Sequence, residues 1–289
     1  MILDEIKYHF SIANDHKVVK LAEQLLKDEQ NQDNYELLLY KAHAHRNLYQ
    51  DQMAIEIFGQ IIEMRPQEVS PRLNQALCLI DIGEFLKARS TLNIALQLEP
   101  QNLEVIHNLI FVEIQIHDFE KAIELAKIGI EIDDTDPILW INLSHAQDCL
   151  GNFNEAILSG KKAIDLCKYD AFLLQNAYNN VGYTYTKMSD FYNAKKYLQR
   201  ATELDQEEPF AWNNLGLVMA KTGQVKEGLQ MINRSIKLDR SNSYAYKNRA
   251  KVYLMQVKKR RAKADLKKAK ELDYELHYGN EVNELLAML

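Results

Sequence analysis

The chain has 289 residues, of which 47% are hydrophobic and 26% are charged, a composition that excludes an intrinsically disordered protein. Its 10 glycines and 5 prolines are too few for a fold built on loops and β-turns. The formal net charge is −6, yet residues 243–276 hold 11 Lys and Arg against 4 Asp and Glu, so an acidic body carries a basic C-terminal part. No stretch approaches the roughly 18 apolar residues of a membrane span, and the first five residues include the acidic Asp4 and Glu5 where a secretory signal is basic. We therefore expect a cytoplasmic protein.

Two helical patterns open the chain within residues 1–34. Apolar residues recur there at helical spacing, first at Ile2, Ile6, Phe10 and Ala13, and then at Val18, Leu21, Ala22 and Leu25. This pattern predicts a pair of short helices that forms a degenerate N-terminal repeat.

From residue 35 to residue 276 a small residue returns at a nearly fixed step of 34 residues, with one step of 38. The positions are Ala54, Ala88, Ala122, Ala156, Ala194, Gly228 and Ala262. A fixed period of this length indicates one small unit repeated along the chain, not a globular domain around a central pocket. We predict seven repeats in one solenoid domain, with the small residue early in each second helix, where it lets paired helices approach closely. The longer step reflects four extra residues around 169–174, about one helical turn, and predicts a lengthened helix.

The unit at residues 209–242 illustrates the predicted pair of helices. A helical pattern runs to about Thr222, Gly223 interrupts it, and a second pattern follows from Val225 to Leu238. The same turn recurs as Gly83 with Glu84, His117 with Asp118, Gly151 with Asn152, and Ser189 with Asp190. Each repeat is therefore predicted to be two helices joined by a tight turn.

Residues 277–289 end the chain with an apolar stripe at helical spacing: Val282, Leu285, Leu286 and Leu289. The terminal repeat of a solenoid needs a cover, so we predict a C-terminal capping helix. The alternative is that this stripe mediates a homodimer contact.

The repeat pattern resembles that of the tetratricopeptide repeat family. Its parts are distributed over the copies, with Trp212 before Leu215 and Gly216 in one, Tyr178 before Val181, Gly182 and Tyr185 in another, and Pro66 and Pro100 closing two early units. The resemblance implies an all-α, right-handed superhelical solenoid of helix-turn-helix repeats. It also implies that the first helices line a concave face and that the protein takes part in protein–protein interaction.

A second periodicity places asparagine at one position of six first helices. The row consists of Asn74, Asn108, Asn142, Asn180, Asn214 and Asn248, each 14 residues before the small residue of its unit. Asparagine is a mediocre helix former, so the row needs a reason. It resembles the asparagine ladder of the O-linked N-acetylglucosamine transferase superhelix, which implies that the amides hold the backbone of an extended peptide, since a carboxamide both donates and accepts. The alternative is structural, with the amides bonded to neighbouring helices or to water.

Four side chains one or two helical turns beyond these asparagines make the later part of the predicted groove basic and aromatic: Tyr183, Lys187, Lys221 and Lys251. We predict that they recognise acidic residues or a carboxylate of the bound peptide. The Lys, Asn and Arg set of chaperone-binding family members is not in register in this sequence, so a chaperone tail is not the expected ligand.

Nothing in the sequence indicates catalysis. The eight His residues form no i,i+4 pair, and the three Cys residues show no CxxC spacing. No glycine-rich phosphate loop occurs. We therefore predict that the chain is not an enzyme and takes no cofactor and no metal.

The predicted function is that of a non-catalytic scaffold or adaptor that binds an extended peptide in the concave groove. A basic run supports a second hypothesis, in which the outer face of the last repeat binds an acidic protein or nucleic acid: Lys258, Lys259, Arg260, Arg261, Lys263, Lys267, Lys268 and Lys270. The acidic remainder of the chain disfavours nucleic acid. In a third hypothesis the chain recruits substrate for a separate enzyme.

Overall fold

The computed structural model describes residues 2–28, 31, 34–274 and 279–289. Those residues form seventeen α-helices and no β-strand. The helices are α1 (Ile2–Ser11), α2 (Asp15–Leu26), α3 (Tyr35–Asn47), α4 (Asp51–Met64), α5 (Val69–Asp81), α6 (Phe85–Leu98), α7 (Leu103–Gln115), α8 (Phe119–Ile132), α9 (Pro137–Cys149), α10 (Phe153–Leu166), α11 (Ala171–Lys187), α12 (Phe191–Leu204), α13 (Pro209–Lys221), α14 (Val225–Leu238), α15 (Ser243–Met255), α16 (Lys259–Glu271) and α17 (Glu281–Ala287). The predicted all-α fold of helix-turn-helix repeats is confirmed.

Short polar side chains set the start of several first helices. Asn34, Asn102, Asp170 and Asn242 each accept a hydrogen bond from the backbone N–H three residues further on, at 2.9–3.2 Å. Each such cap satisfies a backbone donor that the helix itself cannot pair, and it stabilises the helix by about 1 kcal/mol.

A residue with left-handed backbone separates the two helices of every pair. The φ angles lie between 54° and 90° at Ala13, Tyr49, Gly83, His117, Gly151, Ser189, Gly223 and Val257. At the first glycine turn the N–H of Gly83 donates to the carbonyl of Ile80 at 2.9 Å, and the N–H of Glu84 donates to that of Leu79 at 2.8 Å. These bonds close the end of the first helix and redirect the chain. The predicted turns are confirmed, but Ala13 belongs to the first turn and not to the first helix, where its apolar character had placed it.

The recurring small residue is buried where the two helices of a repeat cross. All six alanines of the row have no exposed surface. At the glycine member the crossing is tighter still, because a Cβ added to Gly228 would lie 2.4 Å from the carbonyl oxygen of Gly216 on α13. The small residue therefore permits close packing within the repeat, as predicted.

The four additional residues lie in the first helix of the fifth of the seven predicted repeats. α11 has 17 residues, whereas the first helices on either side, α9 and α13, have 13 each. The prediction of a lengthened helix is confirmed.

The chain divides into two compact units, residues 1–133 and residues 134–289. In the first unit, apolar clusters form around Ile6 with Leu37 and around Phe58 with Ile61. In the second unit, Leu198 packs with Leu215 and Val218. Of the predicted domain limits, residue 34 lies between α2 and α3, and the limit at residue 276 lies outside the described residues.

Helix α17 covers the end of the second unit. Val282 is fully buried in a cluster with Leu266 and Tyr274. Leu285, Leu286 and Leu289 pack against the same cluster. The apolar stripe is thus used within the chain and forms the predicted capping helix, while the homodimer contact stays a prediction.

Candidate functional site

The first helices of the second unit form one continuous layer. α9 packs on α11, α11 on α13, and α13 on α15. Among the described residues, no comparable contact joins the second helices α10, α12, α14 and α16 to one another. Helices that touch side by side lie on the inner side of a curved layer, so the first helices line the inside of this unit. We call the surface of α9, α11, α13 and α15 the first-helix face.

In the first unit, the two asparagines of the row already have partners. The Asn74 side chain accepts a hydrogen bond from Arg46 at 2.9 Å and donates to the Ser70 carbonyl at 2.9 Å. The Asn108 amide donates to the Glu104 carbonyl at 2.7 Å. These bonds hold the amides against their own helix or the preceding first helix, so a ligand would compete with them.

In the second unit, the asparagines of the row differ in burial and in hydrogen bonding. Asn142 and Asn180 are half-buried on the first-helix face, and their amides make no hydrogen bond with any described residue. Asn214 is 5% exposed and donates to Asn179 at 3.0 Å. The row as a whole is therefore not a uniform exposed ladder, and two of its members have free amides at the surface.

Asn248 and its neighbour in the preceding repeat, Asn213, are fully buried with unpaired amides. Neither the nitrogen nor the oxygen of either side chain has a hydrogen-bond partner in the described part of the chain. One repeat earlier the corresponding pair, Asn214 and Asn179, is bonded. A buried polar group without a partner costs about 1–3 kcal/mol, so this end of the face has unused hydrogen-bonding capacity.

The predicted basic side chains lie on the same face. Lys187 on α11 pairs with Asp148 on α9 at 2.7 Å and lies 5.0 Å from the ring centroid of Tyr183. Lys221 on α13 is exposed and lies 5.3 Å from the ring of Phe191. Within the described residues Lys221 makes no ion pair, so its charge is free to meet a ligand.

Lys247 on α15 is a member of this group that the sequence prediction missed. Its side chain is almost completely buried, with the ammonium 3.1 Å from a carboxylate oxygen of Glu281 and 3.8 Å from the ring centroid of Tyr244. Burial, followed by repulsion from Lys251, lowers the pKa of Lys247 to about 8. Its position directly before Asn248 was visible in the sequence, but its burial depends on the residues packed over it.

Glu281, at the start of α17, is the second residue that the sequence did not single out. Its carboxylate contacts the ammonium groups of both Lys247 and Lys251. Burial alone would raise the pKa of Glu281, but the attraction of the two lysines outweighs burial and lowers it. We call Lys187, Lys221, Lys247 and Lys251 the lysine cluster.

Aromatic rings form the floor beside these lysines. Tyr183 meets Tyr244 edge-on at 6.2 Å between centroids, and Tyr244 stacks on Tyr274 at 6.3 Å. Burial raises the pKa of Tyr183, so its hydroxyl stays protonated and can donate a hydrogen bond. Among the predicted recognition residues, Tyr183, Lys187, Lys221 and Lys251 are therefore brought together on adjacent first helices.

No group of three His, Cys, Asp or Glu side chains among the described residues is placed to hold a metal ion. Burial raises the pKa of Cys78 to about 12 and that of Cys167 to about 11. Desolvation, followed by the negative charge of the neighbouring Asp148, raises the pKa of Cys149 to about 11. None of these thiols is activated as a nucleophile.

The predicted basic run lies on a different surface. Lys258 precedes α16, and the remaining seven cations lie on it; all eight are exposed. None of them belongs to the first-helix face. In the described part of the chain, no helix has both the length and the apolar character needed to cross a bilayer.

The sequence of one repeat matches a known family. Residues 175–208, which contain most of α11 and all of α12, match the model of the tetratricopeptide repeat. No curated protein matches the chain.

Solved structures share the fold over most of the chain. A tetratricopeptide repeat protein from Parabacteroides merdae ATCC 43184 superposes with a TM-score of 0.75 and 16% identity, covering 89% of this chain and 98% of that one. The Cut9–Hcn1 hetero-tetramer of the APC/C gives a TM-score of 0.65 and 16% identity, covering 93% of this chain and 58% of that one. MamA from Desulfovibrio magneticus RS-1 gives 0.51 and 17%, covering 57% and 95%. At these identities the similarity concerns the fold.

Paired helices, left-handed turns and a continuous layer of first helices define a helical-repeat protein, a class whose stacked repeats create extended binding surfaces. Residues 175–208 match the tetratricopeptide repeat, and the chain shares its fold with solved tetratricopeptide repeat structures.

Proposed function

We propose that the chain is a non-catalytic scaffold that binds an extended, acidic segment of another protein along the first-helix face of the second unit. The observation that carries this proposal is the lysine cluster, and in particular its exposed member Lys221, which makes no ion pair with any described residue. A cation on a surface that also contains tyrosine rings and free amides can form an ion pair with a carboxylate of a bound peptide.

The spacing of the lysines suits an extended ligand. Lys187 and Lys221 occupy equivalent positions of successive repeats, on the adjacent helices α11 and α13. Packed helices lie about 8–10 Å apart, and an extended chain advances about 3.3 Å per residue. Acidic side chains about three residues apart would therefore meet successive helices.

The free amides of Asn142 and Asn180 supply the second element of the proposal. Each can donate to one peptide carbonyl and accept from one peptide N–H without regard to the side chain of the ligand. Lysines then select for acidic residues, while the asparagines hold the backbone. Contacts by Asn74, Asn108, Asn214 and Asn248 would require their present surroundings to rearrange.

A binding role agrees with the polar groups described at the face, which are amides, ammonium groups, phenols and the ion-paired carboxylates of Asp148 and Glu281. Tetratricopeptide repeats generally serve as scaffolds, and we propose that this chain acts in the cytoplasm. Cut9–Hcn1 is a hetero-tetramer within the APC/C, and an assembly role of that kind is one way in which such a scaffold acts.

A second candidate function uses the exposed basic face of α16 to bind an acidic protein, with nucleic acid as the less favoured ligand. Its support is the exposure of all eight cations. A chain that recruits substrate for a separate enzyme would use the first-helix face in the same way as the main proposal.

Selection of a random peptide display library on the full chain tests the main proposal. We expect enrichment of sequences with acidic residues about three positions apart, and weaker binding of the selected peptides by Lys221→Gln. Lys226→Gln is the matched control, because Lys226 is an exposed lysine on α14 away from the first-helix face. If the library yields no acidic preference, or if Lys226→Gln and Lys221→Gln bind alike, the proposal is wrong. If only charge reversal on α16 abolishes binding, the second candidate function holds.

A further inference from the structure

The carboxylate of Glu281 lies between two lysines of the first-helix face. It contacts Lys247 at 3.1 Å and also contacts Lys251, one helical turn away on α15. Tyr274 donates a hydrogen bond to the same carboxylate at 3.4 Å. The arrangement is a complete carboxylate subsite, with two cations and a phenol directed at one acidic group.

The group that fills the subsite comes from the C-terminal segment and not from a repeat. Glu281 is the first residue of α17, which packs against α16 through the apolar cluster of Val282 and its leucine neighbours. A hydrogen bond from Lys270 to Asn283 at 2.7 Å adds a polar contact with α16. The contact of Glu281 with α15 is separate from these contacts with α16. The carboxylate can leave the lysines while Val282 stays in its cluster.

The subsite retains an excess of positive charge with Glu281 in place. Partial desolvation, followed by repulsion from Lys251, lowers the pKa of Lys221, while Glu281 acts in the opposite direction. Lys247 and Lys251 thus share one acidic partner among the described residues, and the unpaired Lys221 adds a further positive charge nearby. A ligand that carries more than one carboxylate would neutralise this excess better than Glu281 does.

The amide of Asn248 points to the same conclusion. Asn248 lies on α15 between the two lysines that hold Glu281, and it is buried without a partner while the carboxylate is in place. Glu281 supplies no group to this amide. A peptide segment would bring backbone donors and acceptors together with its carboxylate.

We propose that Glu281 is a built-in occupant of a carboxylate subsite formed by Lys247 and Lys251, and that an acidic residue of a bound peptide takes its place on these lysines. This inference rests on the proposed function, and it adds where the acidic ligand is held and what it must displace. The C-terminal segment thereby limits access to the site until a ligand of sufficient charge arrives.

The test is a titration of the full chain with a fluorescein-labelled peptide of alternating glutamate and serine, followed by fluorescence anisotropy. Removing the internal competitor with Glu281→Gln raises the fraction of chains with an open subsite, so we expect affinity for the probe to rise about tenfold if one chain in ten is open in the wild type. Glu284→Gln, an exposed neighbour on α17, is the matched control and leaves affinity unchanged. Lys251→Gln in the Glu281→Gln background removes the gain.

A second readout does not depend on substitution. Hydrogen exchange of the amides of α17 is followed in the wild type with and without saturating probe, and we expect faster exchange of the first turn of α17 when the probe is bound. A matched glutamine and serine peptide gives no such change. Unchanged exchange during saturation overturns the displacement model.

The outcomes separate this inference from the proposed function. If no form of the chain binds the glutamate probe, both are wrong. If the wild type and Glu281→Gln bind the probe equally well, and Lys221→Gln weakens binding, the acidic ligand uses the face but does not compete with Glu281. If the gain from Glu281→Gln survives Lys251→Gln, the carboxylate subsite is wrongly located.

Discussion

Arg249 on α15 and Asp265 on α16 form a two-point ion pair. The Arg249 Nε donates to one carboxylate oxygen at 2.8 Å, and the Arg249 Nη2 donates to the other at 2.8 Å. Asp265 is almost fully buried, and a third nitrogen of Arg249 donates to Asn233 on α14 at 2.7 Å. Arg249 therefore links the two helices of the last repeat to each other and to the second helix of the preceding repeat.

The first prediction follows from this pair. Asp265→Ala leaves the Arg249 guanidinium partly buried without its acceptor, so we expect the free energy of unfolding to fall by about 3 kcal/mol. Urea unfolding followed by circular dichroism measures it. Glu271→Ala removes an exposed carboxylate that pairs with Lys268 at 3.3 Å, and it should change stability by less than about 1 kcal/mol. Equal losses for the two variants would show that Arg249 is adequately solvated without Asp265.

The second prediction concerns Gly228. In Gly228→Ala the new Cβ meets the backbone oxygen of Gly216, which cannot move independently of α13, so overpacking should cost about 2 kcal/mol despite the better helix propensity of alanine. Thermal unfolding measures this loss.

Gly59→Ala is the control for the second prediction. The nearest atom to its added Cβ is the end of the Gln75 side chain at 3.5 Å, an ordinary contact. This substitution should stabilise the protein by about 0.5–1 kcal/mol. Destabilisation by both substitutions would mean that the contact at Gly216 is not the cause.

Most of the fold was predictable because one local rule repeats. A small residue early in each second helix and a turn residue before it are sufficient to predict the helix pairs, and even the extra turn of α11 follows from counting. The asparagines at one repeat position were less informative, because the sequence does not show which of them are buried or hydrogen-bonded. Asn180 is half-buried and makes no hydrogen bond with any described residue, whereas Asn248 is fully buried, a difference that comes from tertiary packing and not from the repeat pattern.

The contact between Glu281 and the lysines was not predictable for a related reason. A stripe of Val282 and three leucines predicts that a helix packs at the end of the chain, and this is confirmed. The spacing of apolar residues does not indicate which helix of the last repeat the polar residues of a capping helix will contact. That choice is made by tertiary packing around Tyr274.

The third prediction concerns pH. The pKa of Lys247 is about 8 in the folded chain against 10.5 for an ordinary lysine. Below about pH 8 both folded and unfolded chains hold this proton, and its full burial cost is present. Between about pH 8 and 10.5 the unfolded chain binds more protons, so rising pH favours folding through this group.

The variant Lys247→Met isolates this contribution. At pH 7 we expect it to be more stable than the wild type by up to roughly 3 kcal/mol, and the advantage should shrink as pH rises through 8. The groups that face Lys247 are Lys251, Lys187, Glu281, Tyr244 and Tyr274. They are present in both chains, so their own titration largely cancels in the difference. Denaturant unfolding at a series of pH values measures it, and a difference that does not depend on pH would contradict the lowered pKa.

The fourth prediction separates the two interpretations of the asparagine row. The Asn180 amide makes no bond with any described residue, so Asn180→Ala should leave the free energy of unfolding within about 0.5 kcal/mol of the wild type. It should weaken peptide binding by about 1 kcal/mol, because one backbone hydrogen bond to the ligand is lost. Anisotropy with a peptide from the library selection and parallel denaturant unfolding measure the two quantities.

Asn74→Ala should behave in the opposite way. Its carbonyl accepts from Arg46, so its loss should destabilise the first unit by about 1 kcal/mol while leaving binding at the first-helix face of the second unit unchanged. Equal effects of both substitutions on stability, with none on binding, would favour the structural interpretation for the whole row. The two substitutions remove the same residue type at the same repeat position. The comparison of Asn74→Ala with Asn180→Ala therefore tests one difference, which is whether the side-chain amide already has a hydrogen-bond partner in the chain.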